Sequence, residues 1–137
     1  KAVGVGTTWL MHCDLVVLSN VDRKSFAGSS AQLGDPFHSV ITAEDVGSYK
    51  PAAANFEALL AHIDAMGIDR SQHLHVAQSL FHDHAPAKAM GIYTLWINRR
   101  IGKDTEGASG PKLDVTPDAE YPDMASFAAA LVTAKSS

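Results

Sequence analysis

Short apolar runs alternate with longer stretches of helical periodicity along the chain. Leu15-Val16-Val17-Leu18 is a continuous apolar run, the pattern of a parallel strand covered on both faces, and Ser19-Asn20 ends it. Val21–Leu33 reads as a helix stopped by Gly34, Asp35 and Pro36, and Ser39–Thr42 as a second strand ending at Ala43-Glu44-Asp45. Pro51 suits the first turn of a helix, and Phe56, Leu59, Leu60, Ile63 and Met66 follow at helical spacing up to Gly67, a natural C-cap. Leu74–Ala77 makes the next strand. Asp83–Met90 makes a helix with Pro86 in its first turn and Gly91 closing it. Ile92–Ile97 is rich in β-branched and aromatic residues, and Tyr93–Ile97 is expected to be a largely buried strand. Met124–Ala134 is an Ala-rich helix with Phe127 and Leu131 turned inward. Lys1–Cys13 is the least legible part, since Gly4 and Gly6 weaken a strand there.

The alternation predicts an α/β fold, a three-layer Rossmann-like parallel sheet with right-handed crossovers. No repeat or linker divides the 137 residues, so one core domain is expected over 1–137. Within it, 1–13 form an atypical N-terminal segment and 100–117 a loop rich in Gly, Lys, Asp, Ser and Pro.

Composition narrows the function classes. Apolar residues at 46% and charged residues at 19% are ordinary for a globular protein. Eleven basic against fifteen acidic residues give a net charge of -4, with the basic ones scattered, so no nucleic-acid partner is expected. No apolar run reaches the roughly 18–20 residues of a membrane helix, and no signal peptide is visible. The single cysteine, Cys13, excludes an internal disulfide and agrees with a cytoplasmic, reducing setting.

Candidate chemistry gathers where strands end and helices begin, the usual ligand position of parallel sheets. Ser19 and Asn20 can donate to an anionic oxygen there, although helix N-caps are the commoner use of both. Lys50 offers a point charge on a backbone stiffened by Pro51. Asp83 opens a helix, where the dipole favours a carboxylate, and His82 beside it titrates near neutral pH. His73, His75, His82 and His84 do not make a zinc site at this spacing. His82 and His84 diverge by roughly 200° on a helix, and His73 and His75 are placed toward the other end of their strand.

Three blocks, SN at Ser19-Asn20, GSYKP at Gly47–Pro51 and HLHVAQSLFHDH at His73–His84, stand in order about thirty residues apart. Together they resemble motifs II, III and IV of the haloacid dehalogenase (HAD) superfamily, close to its 2-haloacid dehalogenase-like branch. The likeness runs from about Asp14 to about Leu131. It implies that Ser19 holds a phosphoryl or carboxylate oxygen and that Lys50 neutralises the nucleophilic carboxylate and the substrate anion. It also implies that Asp83 is the second acidic position of motif IV, which binds Mg²⁺ in phosphatase members. The first acidic position corresponds to Gln78, which leans toward the metal-free dehalogenases, so no cofactor and no metal are expected.

The motif I aspartate is not visible. Aligning Gly6-Thr7 with the family's Gly-Thr puts Val3 at the nucleophile position, and Asp14 precedes its strand, roughly 15–20 Å from Ser19 at about 3.3 Å per residue. Covalent aspartyl catalysis needs that carboxylate in contact with substrate. The first expectation is therefore a HAD-derived domain that keeps an anion-friendly pocket of Ser19, Asn20, Lys50, Gln78, Ser79 and Asp83 without phosphatase or dehalogenase turnover. A second is a repurposed metal-independent isomerase, lyase or cyclase acting on a small polar molecule, with His82, Asp83 or Lys50 as acid–base groups. A third is a binding or dimerising module. In the HAD sheet the motif I strand lies between those of motifs II and IV; without it two edges stand open, and a homodimer is expected to cover them.

Overall fold

The computed structural model describes residues 13–101 and 114–136. Its elements in chain order are β1 Val16–Ser19, α1 Arg23–Gln32, β2 Ser39–Thr42, α2 Ala43–Val46 and α3 Ala53–Ala65. A 3₁₀ turn, Arg70–Gln72, leads to β3 Leu74–Ala77, a single π-helical turn Leu80–His84, and α4 Ala85–Ala89. β4 Tyr93–Ile97, β5 Ala119–Tyr121 and α5 Met124–Ser136 complete the order.

All strand pairs are parallel: β1 with β2, and β3–β4–β5 in that order. With helices on both faces this is the expected α/β Rossmann-like fold. Val16 and Leu18 turn to one face and pack with Phe56, Leu59, Leu60 and Ile63 of α3 and Ala87 of α4. Leu95 and Ile97 turn to the other and pack with Phe127 and Ala128 of α5, joined there by Leu15 and Val76. Leu15, just before β1, and Val76 of β3 share this second cluster, which therefore reaches both sheets.

Among the described residues β1 and β3 do not pair with each other. The Leu15 carbonyl accepts from His38 N–H on the β2 side at 2.8 Å, so alternation turns the amides of Val16 and Leu18 toward the other edge. The two parts of the sheet are joined through α3 and through side chains, with Leu18 and the His75 ring both against Phe56.

Several boundaries differ from the sequence expectation, each for a local reason. β1 is shifted one residue, to Val16–Ser19. Ala43-Glu44-Asp45 forms a helical turn, because Thr42 and Asp45 make a reciprocal capping box. Pro51 precedes α3 and sits in a turn closed by Ala52 N–H on the Tyr49 carbonyl at 3.0 Å. The helix expected from Asp83 begins earlier, as the π-helical turn. Thr94, Leu95 and Ile97 are buried, but Tyr93 is 53% exposed, paired in register with the exposed Leu74 at the amino end of the sheet. β5 was not expected. It is three residues long at the sheet's edge.

The proposed 1–13 segment and the 100–117 loop lie largely outside the described residues. Among the described residues no helix is long and apolar enough to cross a membrane.

Candidate functional site

The carboxyl ends of β1 and β3 meet at Lys50. Its peptide follows α2, which ends at Gly47 in the left-handed conformation (φ 75°) that a Cβ would strain. The side chain of Asn20, just past β1, brackets this peptide. Asn20 Oδ1 accepts from Lys50 N–H at 2.7 Å, and Asn20 Nδ2 donates to the Lys50 carbonyl at 3.1 Å. Thus held, the lysine sends its ammonium between β1 and β3. Nζ donates to the Leu18 carbonyl at 3.1 Å and to Asp83 Oδ1 at 2.6 Å.

Asp83 arrives on the π-helical turn. Its N–H and that of His84 both donate to the Ser79 carbonyl, at 3.1 and 3.3 Å, and the widened turn swings Asp83 back over β3. There the same Oδ1 meets His75 Nε2 at 3.0 Å. Burial pushes the Asp83 carboxyl up, but the hydrogen bonds from His75 and then Lys50, with their charges, outweigh it and hold the group below the usual carboxylate range. His84 is fully buried with Nε2 on the Ala77 carbonyl at 2.9 Å, and burial lowers its pKa. The result is a nearly dry cluster of one cation, one carboxylate and an imidazole at the mouth of two parallel strand ends.

No protein-family profile and no curated protein sequence matches the chain. Solved structures do. The L-2-haloacid dehalogenase RSc1362 superposes with a TM-score of 0.72 at 27% identity, over 95% of this chain and 54% of that one. The HAD-hydrolase YfnB from Bacillus subtilis, solved bound to magnesium, gives 0.76 at 18% identity over 93% and 53%. A HAD phosphatase from Thermococcus onnurineus gives 0.66 at 25% identity over 92% and 54%. The chain has the HAD fold. It spans about half the length of these HAD structures.

Two residues singled out from the HAD resemblance, Lys50 and Asp83, are in direct contact. Asn20 is in the site too, its amide bracketing the Lys50 backbone. The other candidates are engaged locally. Ser19 Oγ accepts from Val21 N–H at 3.3 Å. Ser79 caps the π-helical turn through His82 N–H at 3.0 Å, and the exposed His82 ring turns its Nδ1 to the same hydroxyl, also at 3.0 Å. Gln78 is exposed, and its carbonyl accepts from the Trp96 indole at 2.9 Å.

His75 is the member that sequence reasoning missed. It was placed away from the site, yet its ring sits 5.4 Å from Phe56 in an edge contact and reaches Asp83. The available signal was chemical: a histidine inside a buried strand needs a polar partner, and Asp83 is near in sequence.

Magnesium, which accompanies YfnB, asks for several hard oxygen ligands. Among the described residues these strand ends offer one carboxylate, and its Oδ1 already takes two donors. No described group of three or more His, Cys, Asp or Glu can hold a metal ion. The described residues alone do not make up a Mg²⁺ site.

Proposed function

We propose that this chain supplies the cation-and-acid half of a HAD hydrolase site. Lys50 holds one anionic oxygen of a small organic molecule at the strand ends, while the family's covalent step is not run by this chain alone. One observation carries the reading: the one carboxylate at the site among the described residues, Asp83, serves through Oδ1 as the ion-pair partner of Lys50 at 2.6 Å and the acceptor of His75 at 3.0 Å. A nucleophile must reach the substrate, and the HAD resemblance gives that role to a separate motif I aspartate. The reading is supported by the lack, among the described residues, of a strand between β1 and β3, where the HAD resemblance puts the nucleophile strand. Gln78, and the likeness to a 2-haloacid dehalogenase, favour a metal-independent ancestry over a phosphatase one.

The test is turnover on both family chemistries, read as halide release from 2-chloropropionate and phosphate release from p-nitrophenyl phosphate, with and without Mg²⁺. The expected result is no rate above that of Lys50→Ala, with 2-chloropropionate binding calorimetrically to the parent chain and not to the variant. Turnover that Lys50→Ala abolishes overturns the reading.

A further inference from the structure

Two donors, Lys50 and His75, converge on Asp83 Oδ1, and the reading above assigns a role to Lys50. His75 comes from the middle of β3, where the strand and the Phe56 edge fix its ring at 9% exposure. An ionised carboxylate only accepts, so the bond to Asp83 Oδ1 requires a proton on His75 Nε2. We propose that His75 is the positioning residue of this site: its Nε2–H holds Asp83 Oδ1 at the point from which that oxygen fixes the Lys50 ammonium. The proposal rests on the reading of Lys50 as the anion-holding group.

The geometry separates positioning from mere filling of space. Lys50 Nζ has two fixed acceptors, the Leu18 carbonyl and Asp83 Oδ1. Only the second can swing, by rotation of the aspartate side chain. His75 and Lys50 bind that oxygen from different elements, one on β3 and one on the turn before α3, so together they leave the carboxylate one orientation. Without the imidazole donor, a carboxylate that is 6% exposed has lost one of its two partners. It then rotates, or takes up a proton, and releases the lysine. The charged and titratable groups acting on Asp83 or His75 are Lys50, His73 and His84. Lys50 donates to Oδ1 beside His75, and neither His73 nor His84 is hydrogen-bonded to it.

The experiment is the rate at which an amine-acylating reagent modifies Lys50 at pH 8, read by mass spectrometry on the intact chain. His75→Phe keeps the aromatic packing and removes the donor, and His75→Gln restores a donor at similar reach. The expected result is labelling about ten-fold faster in His75→Phe than in the parent, with His75→Gln near the parent rate. Should the Phe variant not fold, His75→Met against His75→Gln reads the same difference. Parent-rate labelling in the donor-less variant, or equally fast labelling in the Gln variant, overturns the proposal. The labelling uses no anion, so failure of 2-chloropropionate to bind the parent chain counts against the proposed function and not against His75.

Discussion

Replacing Lys50 by Met tests the centre of the site through stability. The ion pair is buried, with side chains 11% and 9% exposed, and its 2.6 Å separation leaves no room for water between the charges. Methionine keeps the length of the stem and removes the charge, so Asp83 stays buried with His75 as its remaining side-chain donor. Breaking a buried pair from one side costs about 3–5 kcal/mol, because the surviving charge is left uncompensated. His75 places the expected loss near the lower end, about 3 kcal/mol at pH 7. For a domain of this size that is a fall in Tm of about 10 °C. Urea unfolding followed by far-UV circular dichroism measures it directly. The decisive comparison is the double variant Lys50→Met, Asp83→Leu. Removing both charges takes away the desolvation cost along with the attraction, so it should be more stable than Lys50→Met alone. A loss below about 1 kcal/mol in Lys50→Met, the scale of an exposed pair, would refute the buried-pair argument. A double variant less stable than the single one would refute it equally.

Three further outcomes are expected. Asn20→Ala removes two hydrogen bonds from the Lys50 peptide and should cost about 2 kcal/mol in urea unfolding, with weaker calorimetric binding of 2-chloropropionate. Acid should act in two windows. His84 has a folded pKa below its ordinary 6.5, so the unfolded chain binds the extra proton and stability falls as pH drops below about 6.5; His84→Met should flatten that part of a Tm–pH curve. Asp83 is depressed instead, so its contribution is complete above the ordinary carboxylate range and is lost as pH falls through its folded value; Asp83→Asn removes this second step. Light scattering should show a homodimer at micromolar concentration, since the open edges of β1 and β3 invite association; a monomer near the 14.5 kDa chain mass counts against it.

The strands were legible because apolar runs bounded by polar pairs report burial directly. Ser39–Thr42, Leu74–Ala77 and Tyr93–Ile97 came out residue for residue. β5 was not, because Ala119-Glu120-Tyr121 at a sheet edge carries too few apolar positions to show a period. Lys50 and Asp83 were legible through their motifs and their places at element ends. The roles of Asn20 and His75 were not. Periodicity says which face a side chain takes and nothing about how far the next turn travels. A π-helical turn, set by two N–H groups sharing the Ser79 carbonyl, brings Asp83 back to a residue eight positions earlier. At Asn20 the amide also positions the Lys50 backbone, a contact thirty residues away in sequence that no local pattern reports.

That β1 and β3 do not pair with each other also bears on how the domain comes apart. A continuous sheet transmits strain through its ladder, so a loosened strand pulls on the next. Among the described residues the two-stranded and three-stranded parts share no ladder, and each has its own nearest-neighbour hydrogen bonds. Their cooperativity depends on side chains: the apolar layer under α3, and one lysine that holds a carbonyl of the first part and a carboxylate attached to the second. Lys50 would then also be a coupling between two partly independent unfolding units, so its loss should separate their opening in hydrogen exchange.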